Sequence, residues 1–457
     1  MTAKKKFRPY QPDQLMLLPP SLGDWLPEDH VVYFLSDAVD EMDLSAIYAS
    51  YAELRGQPPY EPSMMVKVLM YGYMLGIRSS RKLERALHED VGFRVLSCNQ
   101  QPDFWTIAAF RRRHHEALGG LLGETVRLGM EAGLIKGEHV SVDGTKIKAH
   151  ASRHSAMSYG RMDREESRLL RDIEEYFADM EAQDRLEDEK FGDRRGDELP
   201  EHLSTHKKRV EAIRRARESL EAKARQRAEE ESEKRRREAE SEGRVYHPRK
   251  DPQKARPRDK DQYNFTDPES RIMKSSEGSF IQAYNGQALV DTDSMMIIAG
   301  DLSNQAADSP HLLGLVTQYR ELMGCDPKEL SADAGYYSEA ILARLQGWEV
   351  EAFIPPDKIK HSEWRTMTSP RGRIPKDATR ADLMRRKLRT KRGRARYQKR
   401  QCSVEPVFGH IKEEQGFRQL LLRGQAKARS MWQLVSAAHN LWKLYRKGGI
   451  PEAIPGG

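Results

Sequence analysis

Apolar positions along the chain fall into two regimes. As far as about Leu134 they recur every three or four residues, the spacing by which a helix buries one face. Ser63 can cap a run carrying Met64, Met65, Val68, Leu69, Tyr71 and Leu75, which spread around much of the helix and predict a buried one. Ser79 or Ser80 can cap a second helix, with Leu83, Ala86 and Leu87 on one side. Asp103 or Thr106 can start a third, over 107–118, carrying Arg111, Arg112 and Arg113 in a row. From Glu138 the pattern changes. His139-Val-Ser-Val-Asp-Gly-Thr-Lys-Ile-Lys-Ala alternates apolar and polar residues and is rich in β-branched types, so it predicts a strand.

Residues of roughly 160 to 240 are dense in charge and nearly free of Gly and Pro, except around Gly192 to Pro200. Leu169, Leu170, Ile173, Phe177 and Met180 recur at helical spacing in the first half, and Val210, Ile213, Leu220 and Ala224 in the second. Two long helices in an antiparallel hairpin follow, with a Pro-, Lys- and Arg-rich loop over 247–261 leading back. Strand patterns resume over 280–290 and 295–300. A helix over 310–323, a strand at Glu329, a short helix over 338–345, a strand over 351–354 and helices from about Pro406 and Met431 complete the chain. Without the hairpin, the order is that of a ribonuclease-H-like α/β domain. The expected organisation is a helical N-terminal domain over 1–134 and a catalytic domain over 135–155 and 265–445. A charged hairpin and loop over 156–264 is inserted into the latter, and a flexible tail over 446–457 follows.

At 457 residues, two or three domains are expected. No stretch approaches the roughly 20 apolar residues of a membrane span. The basic start of the chain has no apolar segment behind it and does not resemble a secretory signal. Cys98, Cys325 and Cys402 are scattered and odd in number, which argues for a reducing compartment, the cytoplasm, and against a disulfide framework or a cysteine zinc site. The net charge of +7 is unevenly placed. Between Lys358 and Arg400 lie 17 Lys or Arg against three acids (Glu363, Asp377 and Asp382). Such a block suits a phosphate backbone or a solvated linker, and charge alone does not choose between them. A helical region ending in an Arg-rich helix likewise suits either a helix-turn-helix DNA reader or a small bundle with a basic surface.

Asp143 ends a β-branched run and precedes Gly144; Asp333 closes Leu330-Ser-Ala and is followed two residues on by Gly335. Carboxylates at strand ends beside glycine suit metal ligation, and they also cap turns. Glu405 precedes Pro406, which predicts a helix start there and an electrostatically favoured acid. Lys412 follows seven residues later. Three hard carboxylates without thiols select Mg²⁺, with Mn²⁺ as a substitute, and two such ions suit in-line phosphoryl displacement. No phosphate-binding G-x-x-x-x-G-K-[ST] loop is present. His114, His115 and His410 lack metal-ligand spacing and are expected on the surface or against phosphates.

Several segments together resemble the DDE transposases of bacterial insertion sequences. Pro59-Tyr-Glu-Pro-Ser-Met-Met-Val-Lys-Val-Leu-Met-Tyr-Gly-Tyr and Pro102-Asp-Phe-Trp-Thr-Ile-Ala-Ala-Phe-Arg are similar to that family's N-terminal domain. Val142-Asp-Gly-Thr-Lys-Ile-Lys-Ala, Ala332-Asp-Ala-Gly-Tyr and Val404-Glu-Pro-Val-Phe-Gly-His-Ile-Lys resemble its three catalytic motifs. The resemblance implies a metal-binding triad of Asp143, Asp333 and Glu405, with Lys412 contacting DNA ends. It implies double-stranded DNA, both element ends and target, as the partner, and a homodimer or higher oligomer on that DNA. The implied activity is binding of terminal inverted repeats, strand cleavage and strand transfer. A DNA-binding regulator without catalysis and a nuclease that cuts without joining are the alternatives. A related signature places Tyr and Arg before the Glu. Tyr397 and Arg400 keep its first gap, but four residues, not three, separate Arg400 from Glu405. The hairpin's place after the first strand is a second departure, and its role is left between dimerisation and holding DNA ends.

Overall fold

The computed structural model describes residues 22–51, 58–151, 156–172, 201–241, 243–246, 251–275, 278–358, 368–375 and 377–448. Among the described residues seven helices lead: α1 (Val31–Asp40), α2 (Ser45–Tyr48), α3 (Pro62–Met74), α4 (Ser80–Glu89), α5 (Val91–Leu96), α6 (Phe104–Arg113) and α7 (His115–Glu131). Helix α3 is buried nearly all round, as its sequence demands, although Pro62 and not Ser63 opens it. The Asp103 carboxylate caps α6 by accepting from the Thr106 N–H at 2.7 Å. The expected single helix over 107–118 is broken at His114, which separates α6 from α7.

Strand β1 (His139–Lys148) follows, then β2 (Ala156–Ser158), helix α8 (residues 159–172), helix α9 (Glu201–Ser241) and β3 (Gln262–Asn264). Helices α8 and α9 are the inserted pair; the Gly192–Pro200 turn and Ile173, Phe177 and Met180 lie outside the described residues. They pack through a small apolar cluster of their own, with Met162 and Leu169 against Val210, Ile213, Ala216 and Leu220. Glu166 accepts from both Arg214 and Arg217 at 2.7 Å and clamps the pair.

The remaining elements are β4 (Arg271–Lys274), β5 (Phe280–Asp291), β6 (Ile297–Ser303), α10 (Leu312–Met323), β7 (Glu329–Ala332), α11 (Glu339–Gly347), β8 (Glu351–Phe353), α12 (Arg380–Arg389), α13 (Lys391–Gly409) and α14 (Gln425–Arg446). Helix α10 stops at Gly324, whose φ of +68° suits a residue without a side chain. The six-stranded mixed sheet runs β5-β1-β7-β8, with β4 and β6 sharing the outer edge of β5. Strands β1, β7 and β8 are parallel, and β5 is antiparallel to β1, β4 and β6.

Helix α14 lies between the sheet and the leading helices. Trp432, fully buried, donates its indole N–H to the Gln287 carbonyl at 2.9 Å. Asn440 bonds both backbone groups of Ile297 and also reaches Thr125 on α7 at 3.1 Å. The N-terminal helices and the sheet thereby share one continuous apolar core.

The basic segment turns out to be helical over α12 and α13, and much of its charge is spent on the sheet. Thr379 and Asp382 form a reciprocal cap at the start of α12. Glu329, at the head of β7, accepts from Arg392 and Arg396 at 2.8 Å each. Lys387 reaches Glu351 at 3.0 Å, and Lys399 reaches Asp293 at 2.8 Å. Helix α13 is thus tied to the N-terminal ends of β7 and β8, and its length carries it toward their C-terminal ends.

Candidate active site

Two acids arrive on neighbouring strands. Val142 of β1 pairs with Ala332 of β7 in parallel register, so Asp143 and Asp333 follow side by side. Asp143 lies midway along β1, not at its end as the sequence implied. Its Oδ1 accepts from the Gly144 N–H at 2.8 Å. Asp333 directly follows β7, and its Oδ1 accepts from the Gly335 N–H at 2.8 Å, capping a short 3₁₀ turn.

Glu405 comes from α13. The expectation that it begins a helix is corrected: Glu405 and Pro406 lie well inside α13. Pro406 lacks the N–H that would bond four residues back, which is ordinarily costly in a helix interior. Here Thr390 caps the helix, and the ion pairs of Arg392, Arg396 and Lys399 fix its first turns well before the proline. A single π turn, His410–Glu414, follows and holds the half-buried Lys412, so Lys412 does not simply continue the α-helical face of Glu405.

Arg400 joins the acids. Its Nη1 donates to Asp143 Oδ2 at 2.7 Å and its Nη2 lies 3.3 Å from Glu405 Oε1. The Tyr397 ring lies beside the guanidinium, 5.7 Å from centroid to Cζ. Both side chains are largely buried, and Arg400 Nε has no hydrogen-bond partner among the described residues. Burial pushes the Asp143 carboxyl up to about 6; Arg400 opposes this, Asp333 and Glu405 add to it, and the Gly144 N–H opposes it. Burial works against the Arg400 charge, yet Asp143 first, and then Tyr397 and Glu405, hold it above the ordinary arginine value.

A fourth acid, Asp308, was not singled out from the sequence. It precedes the 3₁₀ turn that leads into α10. Its Oδ1 accepts from Asn285 at 2.7 Å, Gln287 at 2.8 Å and Lys146 at 3.3 Å. A β-carbon at Gly144 would sit 2.8 Å from that same oxygen. One at Gly335 would be flanked by Asp333 Oδ1 at 3.0 Å and Asp308 Oδ2 at 3.5 Å. The two glycines therefore leave space that Asp308 fills, and beside Gly335 it comes close to Asp333. The buried Tyr336 hydroxyl donates to Gln287 Oε1 and closes the floor. The only signal in the sequence was an acid just before a helix, which is too common to stand out.

The three arginines at the end of α6 part company. Arg111 is buried and donates to the Arg78 carbonyl at 2.9 Å and to Ser80 Oγ at 3.2 Å, so its place as a DNA contact is corrected to one inside the domain. Arg113 donates to the Ser50 carbonyl and lies over the Tyr51 ring, while Arg112 is exposed. His114 is buried against Phe110 and 3.1 Å from the Tyr51 hydroxyl. His115 lies 3.2 Å from Ser430 Oγ, and His410 Nδ1 lies 2.9 Å from that of the buried His439, so none of the three is a free surface histidine.

Family comparison covers much of the chain around this assembly. Residues 20–113 match a model described as a transposase domain (DUF772), and residues 244–441 match one described as a transposase DDE domain. The chain belongs to the DDE transposases of insertion-sequence type. Asp333, Glu405, Arg400 and Asp308 of this transposase fall within the DDE match. Asp143 and the inserted pair α8–α9 lie between the two matches. No curated protein and no solved structure matches the chain significantly.

Proposed function

We propose that the protein binds the terminal inverted repeats of its own element and catalyses strand cleavage and strand transfer at Asp143, Asp333 and Glu405. The single observation that carries this reading is the in-register placement of Asp143 and Asp333 on adjacent parallel strands, with Glu405 linked to Asp143 through Arg400. The strand order, with β6 and β5 antiparallel beside a parallel β1-β7-β8 set, supports a ribonuclease-H-like reading of the catalytic domain. The three exposed, unpaired cysteines support a cytoplasmic location. Among the described residues no helix is long and apolar enough to cross a membrane.

DDE transposase domains generally use divalent metal ions. Among the described residues no three acids, histidines or cysteines stand together as a ready-made cage. The donors nevertheless fit in kind. Asp333 Oδ2 and Glu405 Oε2 make no hydrogen bond with any described residue, and the Arg400 guanidinium sits between Asp143 and Glu405 where their charges draw a cation. Asp143, Asp333 and Glu405 would hold Mg²⁺, or Mn²⁺ in its place, and two such ions would supply activation of the attacking hydroxyl and stabilisation of the leaving oxygen. Arg400 keeps Asp143 and Glu405 oriented and offsets their repulsion. Lys412, Arg112, Arg113 and the exposed cations of α12 and α13 would meet duplex DNA, on which a dimer or higher oligomer would pair two ends.

The test is cleavage and joining of a DNA fragment carrying the ends that flank the gene, with Mg²⁺ present. Wild type should nick and join, while Asp333→Asn should bind and do neither. Equal activity in the variant would remove the assignment. End binding without chemistry in both proteins would favour the regulator, and cutting without joining would favour the nuclease.

A further inference from the structure

Between α9 and the open edge of the sheet lies a cleft of about 710 Å³, walled by α9 on one side and by β4 and the loop after β6 on the other. Its cations are Lys223 and Arg227 on α9, Arg271 on β4 and Lys260 on the returning loop. Gln226, Gln262, Asn304 and Gln305 supply neutral polar groups. Three acids temper the charge: Asp261, which accepts from Arg227 at 3.1 Å, Glu230, which accepts from Gln226 at 2.9 Å, and Glu269, close enough to act on Lys223 and Arg271.

We propose that this cleft holds the sugar–phosphate backbone of the DNA strand flanking the cleavage point, so that the inserted helix serves to grip DNA ends. The inference rests on the transposase reading and gives the insertion its part in it.

Three observations carry it. First, like charges are gathered without enough acid to satisfy them. The Lys223 ammonium makes no hydrogen bond or ion pair with any described residue, and burial, then the nearby Arg271, pushes it below the ordinary lysine value against the pull of Glu269. Arg271 is lowered in turn by burial and by Arg227. Cations held together at a cost are relieved by a multivalent anion, and a phosphate backbone is one. Second, the lining is polar, with only Leu220 and Ile272 as large apolar side chains. A protein partner would call for an apolar centre, whereas backbone recognition uses charge together with amide and hydroxyl donors. Third, the cleft adjoins the loop that carries Asp308. The Gln305 carbonyl accepts from Asn285 Nδ2 at 3.2 Å, and the same amide donates to Asp308, which crowds Gly144 and Gly335. One short loop, 304–308, thus forms both the rim of the cleft and the flank of the acids, and a strand with its phosphate at the carboxylates would run into the cleft.

The experiment compares full-length wild type with Lys223→Gln/Arg227→Gln for binding a fragment that carries the element ends, across a salt series without divalent metal. Arg271 is left in place because it bonds the carbonyls of Pro268 and Ser270. Roughly a tenfold loss of affinity is expected in 0.1 M salt, with a slope of log affinity against log salt shallower by about two. Lys223→Arg/Arg227→Lys should bind as wild type. Should the Gln variant unfold, the second readout is maleimide modification of Lys223→Cys in a chain whose Cys98, Cys325 and Cys402 are replaced by serine, which the fragment should block and inorganic phosphate should not. Unchanged affinity and slope, or undiminished modification under saturating DNA, would overturn the cleft while leaving the transposase reading intact. A change of oligomeric state with an unchanged slope would make the cleft a protein interface and overturn it equally. Failure of wild type to bind the fragment would overturn both.

Discussion

Arg400 Nη1 lies 2.7 Å from Asp143 Oδ2 while the other arm of the same guanidinium lies 3.3 Å from Glu405 Oε1. One cation therefore joins an acid on the central strand to an acid on a helix five residues further along its own chain. Glu405 is about half exposed and keeps its position partly through this bridge.

Arg400→Ala should destabilise the metal-free protein by about 2–4 kcal/mol, because it leaves Asp143 partly buried with acids around it and no counter-charge. Thermal unfolding measured with and without Mg²⁺ checks this. The ion should recover more stability in the variant than in wild type, since it replaces a lost cation. An equal gain in both would mean that Arg400 and the ion do not serve the same carboxylates. Arg400→Lys should fall between, having the charge but not the two-armed reach.

Binding of Mn²⁺ should be governed by the proton on Asp143. The free carboxyl ordinarily titrates near 3.8, and burial followed by its acidic neighbours carries it to about 6. Below that pH the group is protonated and competes with the ion; above it the carboxylate is available. Affinity, followed by the magnetic resonance signal of free Mn²⁺, should climb as pH rises through about 6 and then level. Asp143→Asn should bind weakly with no step there. A wild-type profile that is flat between pH 5 and 7 would contradict the reading.

The alternating, β-branched pattern around 139–148 and the short apolar run closed by Asp333 with Gly335 two residues on were enough to place two acids at strands, because alternation and strand-ending turns are both written locally. Glu405 was found by resemblance, but its setting was misread. Pro406 resembled a first-turn proline, and what overrides it is the set of ion pairs from Arg392, Arg396 and Lys399 to acids far away in sequence. The same long-range pairing explains why the basic segment looked freer than it is. Arg111 failed for a related reason: three adjacent arginines on a helix point in three directions, and the periodicity of a short run does not say which faces inward. Strands β2, β3 and β4, at three or four residues, are too short to show any alternation.

Arg111 and Arg112 should consequently behave in opposite ways. Arg111→Ala removes donors from the Arg78 carbonyl and Ser80 and leaves a gap among buried side chains, so it should cost about 2–3 kcal/mol in stability. Arg112→Ala should melt within about 0.5 kcal/mol of wild type, as exposed substitutions usually do, and should weaken DNA binding at low salt. Denaturant melts paired with a binding titration separate the two. Weakened binding from Arg111→Ala at full stability would put the buried arginine back on the DNA.

His139 gives the fold an acid sensitivity away from the carboxylates. It is buried at the head of β1, 2.7 Å from Ser331 Oγ, and its Nδ1 has no partner within hydrogen-bond distance. Burial first, then Arg396 and Lys399, depress it from 6.5 to about 4. The unfolded chain then takes up a proton near pH 6.5 that the folded chain refuses until about pH 4. Stability supplied by the neutral ring is complete above pH 6.5 and declines as pH falls through 4, by about 3 kcal/mol in all. His139→Gln should flatten that part of the profile, measured as wild type minus variant so that other titrating groups cancel. An unaltered slope would mean that the ring is protonated in the fold and paired with Glu329, whose Oε2 stands 3.9 Å from Nδ1.

Asp308 tests whether the site extends beyond the three acids. Three donors converge on its Oδ1 and leave Oδ2 toward Gly335 and Asp333. An acid in this position can orient neighbouring ligands without bonding the reacting atoms, and removal of such outer partners typically costs 10–100-fold in affinity or activity. Asp308→Asn keeps the shape but puts an amide where Asn285 and Gln287 already present amide donors. The turn before α10 should then shift and Asp333 lose its alignment. Strand cleavage should fall by about 10–100-fold, with end binding in the absence of metal unchanged. If cleavage were untouched, Asp308 would be only the cap of its turn. If it vanished as completely as in Asp333→Asn, Asp308 would count as a fourth ligand and the description of the site as a triad would be incomplete.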